Sequence, residues 1–334
     1  MSLAALEGGL TVRLRIAQGR IEAVTIANDR PLDAAQALVG KPIADALRLV
    51  PLMFSLCGTA QLQAGLGACE AALGIRPSPA QLAARRLLLL AETAGEHGVR
   101  ILRDWPALLG EPIRADGIRA LRGALSPLRK ALYPNGDWAA PGGGRLDPDA
   151  GVIAACLTAV RAAARAAIAD PSLPRVVKER GLADLCRSQP EPLETGPYAR
   201  RRDHPLVAPL VARHGNGALP RLVARLADLD ECLAEMDRIV LSPDPGRPAP
   251  PHGDGPGHAT LEAARGALSH HVTLADGRIM AWRVEAPTEI NFAPDGPLAR
   301  GLLGPAGEDP VFLARLAVLA LDPCVGCEVV VEGV

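Results

Sequence analysis

Aromatic side chains are scarce in this sequence, at 2% of 334 residues, although apolar residues together reach 49%. The apolar share rests on alanine and leucine. Such a core is built from close-packed helices more readily than from sheets, because β-branched and aromatic residues are the strand formers. Charge imbalance is also missing: the formal net charge is −1. Nothing therefore predicts a nucleic-acid-binding surface or an anionic-membrane surface. Lysine occurs only at Lys41, Lys130 and Lys178, so nearly every cation is an arginine. Met1 to Glu7 has no basic region followed by an apolar one, and no signal peptide is expected. No uninterrupted apolar run approaches the length of a membrane span, and no membrane segment is expected either. Cysteines number seven, odd and dispersed, which excludes a secreted disulfide framework. Together these absences predict a cytoplasmic protein with reduced thiols. Its length allows one large domain or two. No internal repeats are present, and the chain reads as a single domain over 1–334.

What is present is mainly helical. Leu10, Val12, Leu14 and Ile16 alternate on one face, a turn follows at Ala17 to Arg20, and Ile21 to Ile26 runs back as a hairpin. Leu32 to Leu49 predicts one or two short helices. Pro51 to Ile75 carries small residues at many positions, which reads first as a tightly packed core helix. Its second reading places Cys57-Gly58 at the helix start, where glycine lets a ligand approach the backbone. Further helices are expected over Pro79 to Asp104, Ile113 to Leu132, Asp149 to Ala169, Leu219 to Leu241 and Val311 to Leu321. Ser188 to Pro205 reads as a polar loop, with Arg200-Arg201-Arg202 as a solvated charge run. Ser242 to Gly257 has the least ordered composition and predicts a flexible loop. A second hairpin follows, with its Asp276-Gly277 turn between Val272 to Ala275 and Arg278 to Glu285. The fold class is thus α+β, mainly α.

Near the end of the chain stands Cys324-Val325-Gly326-Cys327. Two thiolates at this spacing can chelate one soft metal. Taken alone the motif is weak: a redox dithiol, half of a zinc site and an incidental pair all fit it. The strand-like run Glu328 to Val331 is expected to anchor it against fraying. Cys69, Cys156, Cys186 and Cys232 sit inside apolar helical patterns and read as small buried hydrophobes.

Three further motifs precede the cysteine pair in order: Glu262 to His271 with Arg265-Gly266, then Pro287-Thr288, then Asp322-Pro323. This order and spacing resembles the C-terminal part of the large subunit of nickel–iron hydrogenases. More loosely, Glu7-Gly8 before a strand and Cys57-Gly58 in an alanine-rich run resemble its N-terminal motifs. The resemblance implies a helical bundle with small β-hairpins near the N-terminus and in the C-terminal part. It implies that Cys57, Cys324 and Cys327 line the metal pocket. It also implies that Arg265 and Thr288 donate to cyanides on an iron, and that Glu7 matches a proton-transfer glutamate. Asp33 lies near a position the family uses for a magnesium-binding glutamate.

The departures from the family pattern are equally specific. Ala60 stands where a second N-terminal cysteine is expected, and Ala64 where a histidine follows it. Ser55, Gly9 and Val330 replace an arginine and two histidines. An alanine methyl cannot ligate a metal, so no complete four-thiolate nickel site is expected from the matched positions. A group that resembles the large subunit in this altered way is the hydrogenase expression/formation proteins of the HupK or HoxV type. That resemblance implies a non-catalytic maturation accessory, a scaffold or transient carrier for iron with cyanide and carbon monoxide ligands. Its implied partners are maturation chaperones, iron-assembly proteins and the hydrogenase large subunit. The alternative is a large-subunit mimic that only binds the chaperones.

Overall fold

The computed structural model describes residues 8–29, 34–169, 172–246 and 254–333. Glu7 and Asp33 lie outside the described residues. Strands β1 (Gly9–Ala17) and β2 (Arg20–Asn28) form the expected N-terminal hairpin. Its turn residues Gln18 and Gly19 both take positive φ, at 49° and 72°, the backbone twist that suits a two-residue hairpin loop. Leu10, Val12 and Leu14 point inward and are buried.

The main helices follow: α1 (Ile43–Met53), α2 (Gly58–Leu73), α3 (Pro79–Val99), α4 (Ala150–Ile168) and α5 (Ala218–Arg238). Strands β3 (Gly255–Ala263), β4 (Gly266–Ala275) and β5 (Arg278–Glu285) come next. The chain closes with the short helix α6 (Pro287–Asn291), β6 (Gly304–Pro305), helix α7 (Pro310–Leu321) and β7 (Gly326–Gly333). The segment Ile113 to Leu132 splits at Pro127 into Ala115–Leu125 and Leu128–Leu132, because proline interrupts the helical hydrogen-bond ladder. By length and composition Ala150–Glu179 could cross a membrane. Within the fold, Ile153, Cys156, Val160, Ala164 and Ala167 of α4 form a buried stripe against the main core.

Two sheets result. One has the order β6-β2-β1-β7, the other β3-β4-β5. The chain end therefore returns to its start: β7 pairs in parallel with β1, Leu10 opposite Cys327 and Val12 opposite Val329. This is the anchoring expected of the run after the cysteine pair. The flexible-loop reading of 242–257 needs correction at both ends. Leu146 and Asp244 exchange backbone hydrogen bonds of 2.9 Å, and Ser78 Oγ donates to the Asp244 carboxylate. Gly255 to Gly257 belong to β3. Residues 247–253 lie outside the described residues.

The small residues of α2 explain how the second sheet reaches the core. Glycine removes the Cβ barrier to close approach. A Cβ placed at Gly65 would stand 2.6 Å from the Trp282 ring and 3.2 Å from His270 Nδ1. One at Gly67 would meet Ala259, and one at Gly257 would strike the α2 backbone at Ala68 and Ala72. The tightly packed core reading of this helix therefore holds, and the packing brings the second sheet close along α2. Gly65→Val tests the fit. Overpacking a core of this kind costs about 1–3 kcal/mol, so the denaturation midpoint should fall with an unchanged m value.

Candidate functional site

The site begins at the first turn of α2. Cys57 occupies the N-cap position, and Gly58 opens the helix. Glu92 of α3 reaches across and accepts the N–H groups of Thr59 and Ala60, at 2.7 Å and 2.9 Å. A carboxylate there satisfies donors that no helical carbonyl can reach, at the positive end of the dipole. Burial pushes the Cys57 thiol up to about 12, with Cys324 and Glu92 adding to the rise and Arg265 opposing it. Cys57, Cys324 and Arg265 thus share one electrostatic neighbourhood.

A line of hydrogen bonds runs from the second sheet to the Cys57 sulfur. Trp282 Nε1 donates to His270 Nδ1 at 3.1 Å. An indole N–H can only donate, so Nδ1 accepts and Nε2 carries the proton. Nε2 then donates to Gln61 Oε1 at 2.8 Å, and Gln61 Nε2 donates to Cys57 Sγ at 3.7 Å. Burial, assisted by His271, holds the His270 imidazole down at about 3. The ring is neutral, as this direction of donation requires. Gln61 follows Cys57 by one helical turn, a spacing that could have flagged it in the sequence.

Arg265 sits in the turn between β3 and β4, which several groups clamp. Arg200 donates to the carbonyls of Ala263 at 3.1 Å and Ala264 at 3.2 Å while paired with Asp228 and Glu262. Thr195 Oγ1 accepts the Ala267 N–H at 2.8 Å. Arg201 also pairs with Asp228. Arg200 and Arg201 are therefore structural pins and not a solvated run, because the buried Asp228 carboxylate draws them in. From this turn Arg265 Nη2 meets Glu96 at 2.9 Å, and Nε lies 3.5 Å from Asp322. Its Nη1 is buried and makes no hydrogen bond among the described residues.

The C-terminal turn is fixed from below. Asp322 ends α7 with a φ of 56°, a left-handed conformation that costs a non-glycine residue about 1–2 kcal/mol. Its carboxylate is held by Arg225 at 2.6 Å and Arg100 at 2.6 Å, besides Arg265. Arg100 belongs to a π-helical turn, Arg100–Asp104, and also donates to the Pro323 carbonyl at 3.2 Å. Burial alone would raise the Asp322 carboxyl. The guanidiniums of Arg265, Arg225 and Arg100 outweigh it and hold the group well below the usual carboxylate range. Beyond this pivot, Cys324 N–H donates to Thr288 Oγ1 at 3.3 Å, and that hydroxyl donates to Cys324 Sγ at 3.1 Å. Thr288 stands on α6, which Asn291 ties to Thr195 through bonds of 3.0 Å and 2.9 Å.

The structure thus brings Cys57, Cys324, Arg265 and Thr288 together. It places Cys327 elsewhere. In the β1–β7 register Cys327 lies opposite Leu10. It packs on the cluster of Leu10, Val12 and Leu14 and lines a groove beside α7. The two thiols of the motif leave the turn on different sides. Among the described residues no three metal-ligating side chains are grouped to hold an ion. At the position of the expected second N-terminal thiol, the Ala60 methyl is fully buried with Ala64, Leu89, Ala263 and Leu268. Cys69, Cys156, Cys186 and Cys232 are buried as expected, although Cys186 lies in a turn with φ 63° instead of a helix. Sequence reasoning missed Glu92, Glu96, Arg100, Arg225 and the relay through His270. Glu92 and Glu96 at i and i+4 on α3 were the available signal.

Removing the charge at Asp322 tests how the site is held. In Asp322→Asn the Arg225 guanidinium, buried and paired only with Asp322 among the described residues, loses its counter-charge. Breaking a buried pair costs about 3–5 kcal/mol. Thermal unfolding should shift down accordingly, and a Tm within error of the parent would contradict this account.

No model of a known protein family matches the chain. Curated relatives do. The hydrogenase expression/formation protein HupV of Azotobacter chroococcum is 31% identical, over 97% of this chain and 98% of that protein. The hydrogenase expression/formation protein HupK of Azotobacter vinelandii is also 31% identical, over 97% and 98%. Among solved structures, the reduced, active nickel–iron–selenium hydrogenase of Desulfomicrobium baculatum superposes with a TM-score of 0.74 at 15% identity, covering 94% of this chain and 96% of that one. The fold is that of a nickel–iron hydrogenase large subunit, as the resemblance implied. With relatives at this identity along nearly its whole length, the chain belongs to the hydrogenase expression/formation proteins of the HupK, HupV and HoxV type.

Proposed function

We propose that this chain is a non-catalytic accessory of hydrogenase maturation, which holds iron with cyanide and carbon monoxide ligands on its way to the large subunit. The maturation role is supported by relatives along nearly its whole length that are named for hydrogenase expression and formation. The iron unit is cargo in this reading. The observation that carries it is the Nη1 of Arg265, buried without a hydrogen-bond partner among the described residues on a guanidinium within electrostatic reach of Cys57 and Cys324. An orphaned guanidinium N–H in a desolvated pocket favours an anionic acceptor there. A cyanide nitrogen supplies one, and Thr288 Oγ1, already on Cys324, can donate to another. Soft thiolates suit low-spin iron with these ligands.

Each residue then has a separate task. Cys57 and Cys324 provide sulfur. Gln61 orients Cys57, and Asp322 sets the turn that presents Cys324. Empty, the Cys57 thiol keeps its proton, since it titrates only at about 12. Binding replaces that proton, so loading releases it and strengthens as pH rises. Cys327, on the groove side, becomes a third ligand only if the Pro323–Gly326 turn rotates. The buried Ala60 methyl argues against a four-thiolate nickel centre. Fewer thiolates hold the unit less firmly, which suits a carrier. The seven free cysteines are consistent with a reducing, cytoplasmic setting. Maturation chaperones, iron-assembly proteins and the hydrogenase large subunit are the proposed partners.

A second reading is a large-subunit mimic that binds maturation chaperones without carrying metal. The superposition with a hydrogenase over 94% of the chain favours it, since a retained shape suffices for such binding. Infrared spectroscopy separates the two, on protein co-produced with hydrogenase maturation proteins, purified without oxygen and assayed for iron. Carriage predicts cyanide and carbonyl stretches that vanish in Cys57→Ser and Cys324→Ser, with a smaller loss of iron in Cys327→Ser. Bands missing from the parent, with chaperone binding intact in all three variants, would establish mimicry instead.

A further inference from the structure

β7 ends its sheet. One side pairs with β1 from Gly9 opposite Gly326 to Ile16 opposite Gly333, with no shift of register. Among the described residues, no backbone hydrogen bond runs along its other side. Such an edge offers a row of N–H and C=O groups to an incoming chain. Apart from the charges of Glu328 and Glu332, the devices that guard edges are missing here. β7 has no proline, no lysine and no bulge, and its middle is Val329-Val330-Val331. An open groove of 680 Å³ lies beside it, between β7, α7 and the segment around Leu108. Phe312, Val318 and Leu319 line the helix side together with Arg315; Val325, Cys327 and Val329 line the strand side; and Arg100, Asp104 and Asp309 add charged groups to the wall.

Alternation along β7 selects the occupant. Cys327, Val329 and Val331 face the cluster of Leu10, Val12 and Leu14. Glu328, Val330 and Glu332 face the other way. Arg13 of β1 pairs with Glu332 at 3.5 Å, whereas Glu328 is exposed and has no ion pair among the described residues. A second copy is a poor occupant. Two antiparallel β7 strands in any register that keeps their faces aligned set glutamates opposite or diagonal to glutamates, and like charges there repel. A partner strand with basic residues on that face meets no such penalty.

We infer that the free edge of β7 takes an extended segment of a partner protein by strand addition. That segment alternates apolar side chains, which drop into the groove, with lysine or arginine beside Glu328. Main-chain hydrogen bonds then supply affinity and the alternating side chains supply specificity. The docked strand would also cover the groove into which Cys327 opens, joining partner binding to the cysteine motif. The inference stands on the metal-free protein and does not depend on iron carriage.

The full-length protein, without metal, is tested against two fluorescent peptides, acetyl-Val-Lys-Val-Lys-Val-Lys-Val-amide and its counterpart with glutamate for lysine. Fluorescence anisotropy measures binding, and hydrogen exchange with mass spectrometry locates it. The basic peptide should bind about tenfold more tightly than the acidic one, an increment that exchanging repulsion for attraction across from Glu328 can supply. It should slow exchange over 326–333. Glu328→Lys, an exposed change, should abolish or reverse the preference. Equal binding of both peptides, no binding of either, or protection outside β7 would overturn the proposal. Protection of β7 that grows with protein concentration, without peptide, would overturn it in favour of a second copy.

Discussion

The structure depends on one buried carboxylate. Asp322 is met by Arg100, Arg225 and Arg265, each from a different part of the chain. None of these groups tolerates the interior alone, since an isolated buried charge costs several kcal/mol. Each contact is therefore conditional on the others. The π-helical turn after α3, the middle of α5, the β3–β4 turn and the end of α7 must arrive together. The αL strain at Asp322 is held by the same pairs, and it is this turn that presents Cys324. Local structure, packing and site geometry meet in a single side chain.

The scarcity of lysine has a physical reading in this light. The interior holds further arginine pairs, Glu70 with Arg85 and Glu194 with Arg221, both with two parallel hydrogen bonds. A planar guanidinium satisfies a carboxylate with two donors in fixed geometry, whereas an ammonium is a strongly hydrated point charge. A protein with few aromatics and many small residues packs its helices closely. It ties them with buried ion pairs of the kind arginine makes best.

The pocket combines retention with loss. Arg265, Thr288, Cys57 and Cys324 converge, while Ala60 fills the place of a missing thiol with a methyl group in an apolar cluster. Glu92 and the Trp282–His270–Gln61 relay still fix the first turn of α2 and the direction of Cys57. The surroundings of the converging side chains are thus built to the same standard as a core.

Much of this was legible in the residues. The N-terminal hairpin followed from alternation, the core role of α2 from its small residues, and the anchoring strand after Cys327 from its valines. Period and composition act locally, so the sequence by itself determined those elements, and the motif order marked the residues that converge in the pocket. It could not determine which distant segments meet. The parallel pairing of β7 with β1 joins residues more than 300 positions apart, and no local pattern encodes a register at that separation. Arg200 and Arg201 read as a solvated run because their counter-charge, Asp228, lies on another helix. Cys324 and Cys327 read as one chelating pair. The αL turn at Asp322 and the pleat of β7, where successive side chains alternate faces, sent one thiol into the pocket and the other toward the groove. Only the tertiary structure decided that, because the direction of a side chain depends on the backbone that carries it and on the charges that hold that backbone in place.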